Sequence, residues 1–166
     1  MAFEIERKFL VRNQEWRRLA RVEARLRQAY LAAGEKSSTR VRIKDDVAAT
    51  VTIKAKGTGL RRLEVEYPIS LIDGEALMSL RQSSLIEKVR HQVPWHHHTW
   101  EIDVFSGDNA GLILAEIELR DERETFERPP WLGVEVTDQP RYYNSSLAQR
   151  PYATWRQATI AAVVAG

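Results

Sequence analysis

Taken two residues at a time, the opening of the chain separates into two sets: Phe3, Ile5, Arg7, Phe9 and Val11 on one side, Glu4, Glu6 and Lys8 on the other. Successive side chains of an extended backbone point to opposite faces, so this alternation predicts a strand running to about Arg12. The period then changes. Trp16, Leu19, Val22, Leu26 and Ala29 recur at intervals of three and four among arginines and glutamates, which predicts an amphipathic helix with Asn13 as its N-cap, ending near Gln28. Tyr30 and Leu31 begin a short extended piece. Alternation returns over residues 39–44, 50–56 and 62–69, separated by Asp45-Asp46 and by the flexible tip Gly57-Thr58-Gly59. A short helix is expected from Asp73 to about Gln82, then strands over 86–93, 100–104, 112–119 and 133–137. Asn144 to Arg150 follows, with a tail helix beginning near Pro151, where proline suits a first turn.

About eight strands to four helices, joined by hairpin-length connections without a βαβ rhythm, indicate an α+β chain: an antiparallel sheet, expected to close, with helices packed on it. Residues 1–166 are expected to form one domain.

The polar faces of seven strands carry charges beside their own sign: Glu4/Glu6, Arg40/Arg42, Lys54/Lys56, Glu64/Glu66, Lys88/Arg90, Glu101/Asp103 and Glu116/Glu118. For any one strand, the simplest reading is a half-buried sheet with a solvated outer face. Like charges on one face repel, however; two carboxylates about 6.5–7 Å apart cost roughly 2 kcal/mol at an effective dielectric of 20. Repetition over seven strands fits better with a barrel whose interior is the charged face and whose apolar exterior lies under helices. Charges so placed need partners or water. Carboxylates are hard ligands for Mg²⁺ or Mn²⁺, and arginine and lysine meet phosphate oxygens by charge-assisted hydrogen bonds.

Bulk properties narrow the field. A chain of 166 residues supports one domain with a real core. A net charge of +2 gives no case for a nucleic-acid surface, and the lack of cysteine excludes disulfides, thiolate catalysis and zinc–cysteine sites. No apolar run reaches membrane-spanning length and the N-terminus is acidic rather than signal-like, so a cytoplasmic protein is expected. His96-His97-His98 is expected in a hairpin turn, a poor geometry for chelation. The five tryptophans, all off the charged parity, are expected to pack. Lys44 and Arg62 fall near strand ends, where a solvated charge is expected, although Arg61-Arg62 beside the glycine tip is also within reach of a barrel entrance.

The ordered set Glu4-x-Glu6-x-Lys8, Arg40-x-Arg42, Lys54, Glu64-x-Glu66, Lys88-x-Arg90, Asp103 and Glu116-x-Glu118 resembles the CYTH domain, the triphosphate tunnel metalloenzymes. Residues 141–148, RYYNSSLA, are similar to the end of its short bacterial branch. The resemblance implies an eight-stranded antiparallel tunnel holding a triphosphate, a small polyanion, with Mg²⁺ or Mn²⁺ as cofactor. It implies that Glu4, Glu6 and Glu118 hold a first metal, and that Glu116 and Asp103 serve a second metal or the attacking water, with Glu64 or Glu66. Lys8, Arg40, Arg42, Lys54, Lys88 and Arg90 are implied to bind phosphate. Tyr30 matches a tyrosine near the tunnel mouth considered as a general base, and a tyrosine capping a helix–strand junction is the competing reading. The implied reaction is hydrolysis of tripolyphosphate to pyrophosphate and phosphate, ahead of nucleoside or thiamine triphosphates. A class IV-type adenylate cyclase ranks lower, because only Met1, Ala2 and Phe3 precede Glu4 where those relatives carry a His-Phe pair. A non-catalytic polyphosphate-binding module ranks last, since binding alone needs fewer carboxylates.

Overall fold

A computed structural model describes residues 3–155. Among the described residues, nine strands and two α-helices precede the start of a third helix at residue 152, in the order β1 (Phe3–Val11), β2 (Val22–Ala33), β3 (Ser37–Lys44), β4 (Ala48–Ala55), β5 (Arg61–Ile69), α1 (Leu71–Met78), β6 (Ile86–Trp95), β7 (His98–Ser106), β8 (Ile113–Glu118), β9 (Leu132–Glu135) and α2 (Asn144–Gln149). Every pairing is antiparallel, in the order β5-β4-β3-β2-β6-β7-β8-β1-β9. The start of β1 also pairs with β5, Phe3 facing Leu63, and so closes β1 to β8 into an eight-stranded barrel. Strand β9 lies outside this ring, against the end of β1.

The expected helix over residues 13–28 does not form. Glu15–Arg18 make a single 3-10 turn, and the chain is extended from Val22. Its apolar residues satisfy both periods: Leu26 and Ala29 are three apart, but Ala24, Leu26, Gln28 and Tyr30 also alternate and are all buried. The strand pairing decides between them, because β2 fills the place between β3 and β6. The tail helix expected near Pro151 is described as far as residue 155; the rest of that expectation lies outside the described residues.

Two apolar clusters cover the outside of the barrel, and a third closes one end of its interior. On the outer faces of β1, β6, β7 and β8, Ile5, Phe9, Val93, Trp100, Ile102 and Ile117 pack with Trp16 and Trp131. Trp100 meets Phe9 and Trp131 edge-on at 5.6 and 5.5 Å. Helix α1, capped by Ser70 Oγ accepting from Asp73 N, covers Val41, Ile43 and Ala49 through Met78. The third cluster, Tyr30, Ile86, Phe105, Leu112 and Leu114 with Tyr142 and Leu147, joins α2 to one end of the barrel. Part of the β4–β5 outer face remains bare, with Ile53, Leu63 and Tyr67 exposed. The histidine triplet sits at the β6–β7 hairpin, where His98 bonds Glu124.

Candidate functional site

The charged parity faces inward. Lys8, Lys88, Asp103 and Glu116 are each 6% exposed or less, although all four carry ionisable groups. They tolerate this because charges that repeat along one strand meet their opposites on the next. Lys8 lies across from Glu116, Arg90 from Asp103, Lys54 from Glu64 and Glu4 from Arg62. Cross-strand neighbours on one face stand about 5 Å apart, close enough to pair directly. Lys8 Nζ is 2.9 Å from Glu116 and 3.6 Å from Glu6. Lys54 binds Glu4 and reaches Glu64 at 3.3 Å. Arg90 donates twice to Asp103, at 2.7 and 2.8 Å, once to Glu116 at 2.8 Å, and also to Glu101.

Two facing pairs break this rule. Glu6 lies across from Glu118, and Glu101 from Glu116. Burial first, and then the Glu116 charge, push the Glu6 carboxyl above its ordinary range. Glu116 moves the other way: burial would raise it, but Lys8 and Arg90 hold it well below the usual carboxylate range. The opposite excess lies on β3. Burial and the neighbouring guanidiniums of Arg40 and Arg90 push Arg42 down to about 10. Arg40 Nε is buried without a hydrogen-bond partner among the described residues. The barrel thus holds an excess of acid at one corner and an excess of base on one wall.

Between them lies a cavity of about 440 Å³. It brings together Glu4, Glu6, Lys8, Tyr30, Arg40, Arg42, Lys54, Glu64, Glu66, Arg90, Glu116 and Glu118. Lys88 and Asp103 do not line it; they pair with each other, fully buried, and Lys88 Nζ also approaches Asn144 Oδ1 at 3.4 Å. A second cavity of about 270 Å³ opens at the opposite end, among Val22, Lys44, Ala48 and Gln92. Arg42, Glu66, Arg90 and Glu101 line both cavities and stand between the first, front, cavity and this rear one.

Several residues of this interior escape a search for paired charges. Gln28 is fully buried and its Oε1 accepts from Arg42 Nε at 2.6 Å; Thr52 Oγ1 donates to Glu66 at 2.9 Å. Neither carries a charge, and burial alone betrays them. Glu101 carries the parity signal and lines both cavities. Arg62, expected to be solvated, is instead half-buried against Tyr143 and lines the front cavity, whereas Arg61 stacks outside on Phe3 at 4.0 Å.

As to a metal, no three carboxylates among the described residues converge in one cage, because lysines stand between them. The donor set is nonetheless all-oxygen and suits a hard divalent cation, and the raised Glu6 carboxyl marks where added positive charge would be welcomed.

The structure is a closed antiparallel barrel whose interior carries an acid–base lattice. The chain belongs to the CYTH domain family, whose model matches residues 2–152. It is 41% identical over 158 residues to the inorganic triphosphatase of Acetivibrio thermocellus, covering 95% of this chain and all of that one. It is 37% identical over 150 residues to the inorganic triphosphatase of Nitrosomonas europaea, covering 87% and 96%. Among solved structures, the inorganic triphosphatase NE1496 superposes with a TM-score of 0.65 at 32% identity, over 89% of this chain and 95% of that one.

Proposed function

We propose that this protein is an inorganic triphosphatase, hydrolysing tripolyphosphate to pyrophosphate and phosphate inside the barrel with Mg²⁺ or Mn²⁺. The observation that carries this reading is the paired acid–base lattice lining a cavity of about 440 Å³ in a closed barrel. Its relatives of nearly equal length bear that name.

The lattice explains why a cation is required. Lys8, Lys54 and Arg90 are already bound to carboxylates, so an incoming polyanion competes with those carboxylates for its donors. It wins if the carboxylates are compensated. Glu4, Glu6 and Glu118 would hold one cation, and Glu116, with Glu64 or Glu66, a second or the attacking water, while Asp103, off the cavity, would position Arg90. Such cations supply charge neutralisation and Lewis acidity. Released from the acids, Lys8, Lys54 and Arg90 turn to the phosphate oxygens, joining Arg40 and Arg42, whose mutual crowding an anion relieves. Lys88 backs this wall through Asp103. Water attacks the terminal phosphorus in line, the bridging P–O bond breaks, and pyrophosphate leaves as its new charge is met by fixed cations. Tyr30, on the cavity wall across from Arg40, would serve as general base for that water.

Phosphate release from tripolyphosphate, ATP, thiamine triphosphate and pyrophosphate, assayed side by side with each metal, tests the reading. Tripolyphosphate is expected to be turned over fastest. No turnover of any of them, or cyclic AMP from ATP, would replace it.

A further inference from the structure

The front mouth of the tunnel is bridged. Arg62, near the start of β5, stands on one rim, and Tyr143, at the entry to α2, stands on the other. Arg62 Nη2 donates to Tyr143 Oη at 3.2 Å, and its guanidinium carbon lies 4.9 Å from the centre of the ring. Tyr143 Oη in turn donates to the carbonyl of Thr137 at 3.0 Å, and Lys8 Nζ lies 5.9 Å from the ring centre. Thr137 Oγ1 accepts from Lys8 N at 3.0 Å. One aromatic ring therefore ties the β5 rim to the closing segment and to the strand that carries the acidic corner. Both Arg62 and Tyr143 line the front cavity, and the hydrolysis derived above uses neither.

We propose that Tyr143, clamped by Arg62, is a specificity-determining residue that turns away triphosphates carrying an organic group. This rests on the triphosphatase reading. The rear passage runs past Arg90, bonded to Glu101, Asp103 and Glu116, and Arg42, bonded to Gln28. These side chains stand between the front cavity and the rear one, so an organic substituent emerges at the front. Tripolyphosphate ends in bare oxygens and needs no such exit. A nucleoside or thiamine group has to displace the ring and the guanidinium stacked on it, breaking two hydrogen bonds and a cation–π contact together. Discrimination comes from what occupies the exit rather than from an extra contact to the favoured substrate.

The test is kcat/KM for ATP and for tripolyphosphate in the wild type, Tyr143→Ala and Arg62→Ala. The ATP-to-tripolyphosphate ratio is expected to rise about tenfold or more in Tyr143→Ala and about threefold or more in Arg62→Ala. A smaller rise overturns the inference, and a fall does so by making the ring a stacking platform for the base. Circular dichroism checks folding; if Tyr143→Ala does not fold, Arg62→Ala decides alone. A wild type inactive on tripolyphosphate would strike the triphosphatase reading instead, and the same ratio taken from calorimetric binding constants would then decide this one.

Discussion

Arg7 sits inside the Glu4-x-Glu6-x-Lys8 run yet points away from the tunnel, and its parity alone says so. Outside the barrel it makes a two-pronged contact with Glu135 on β9, at 2.8 and 2.6 Å, and Thr137 adds a bond to the same carboxylate at 2.7 Å. The Arg7 hydrogen bonds hold the Glu135 carboxyl below its ordinary range. A carboxyl with a folded pKa below its unfolded value stabilises the fold at pH above that unfolded value, about 4.3, and the contribution is lost as pH falls through the folded one. Both side chains are about a third exposed, which discounts the energy. Glu135→Gln is therefore expected to cost about 0.5–1 kcal/mol at pH 7 and to cost progressively less as pH drops towards about 3. Urea unfolding of the two proteins at both pH values measures this; an equal cost at both would show that the carboxylate charge is irrelevant. Arg90 is the opposite case, a cation inside the barrel on which three carboxylates converge. Arg90→Ala leaves Asp103 and Glu116 buried with lysines as their remaining partners, and is expected to cost about 3 kcal/mol or more. A loss below about 1 kcal/mol would mean that the lattice relaxes freely.

Elements with charged inner faces were legible in the sequence; the one without was not. Seven strands carried same-sign pairs, and all seven became staves of the barrel. The eighth, β2, presents Ala24, Leu26, Gln28 and Tyr30 inward, between two basic strands. A further basic row there would have had no acidic neighbour; the sequence supplies neutral side chains, and Val22, Leu26 and Ala29 on the same strand are also spaced for a helix. Local pattern does not separate the two readings, and pairing does. The charged strands also showed the side chains of the site without showing which paired with which, because register depends on neighbours remote in sequence. Helix α1 shows how closely outer elements seat on the barrel. A Cβ built on Gly74 would lie 2.6 Å from Ala49 Cβ on β4. Gly74→Ala is expected to push α1 off the sheet and destabilise the fold by about 1–3 kcal/mol, read from thermal unfolding. An unchanged melting temperature would show that α1 shifts without cost.

For the molecule as a whole, the arrangement inverts much of the usual globular plan: two apolar clusters lie outside the sheet, charge lines most of its interior, and a third cluster closes one end of it. The three clusters and α1 carry the burden of stability. That division lets the interior be altered with less damage to the fold than its burial suggests, provided the substitution keeps shape. Glu6 is the sharpest place to exploit this, since its carboxyl lies between Glu4, Glu116 and two lysines and is already pushed above its ordinary range by burial and Glu116. Glu6→Gln removes the charge and keeps the volume. Phosphate release from tripolyphosphate with saturating Mg²⁺ or Mn²⁺, measured for wild type and Glu6→Gln at equal folded concentration, tests the central claim directly. Turnover is expected to fall by about a hundredfold or more while the unfolding midpoint stays near that of the wild type; turnover within a few-fold of wild type would contradict the assignment of this acidic corner as the cation site.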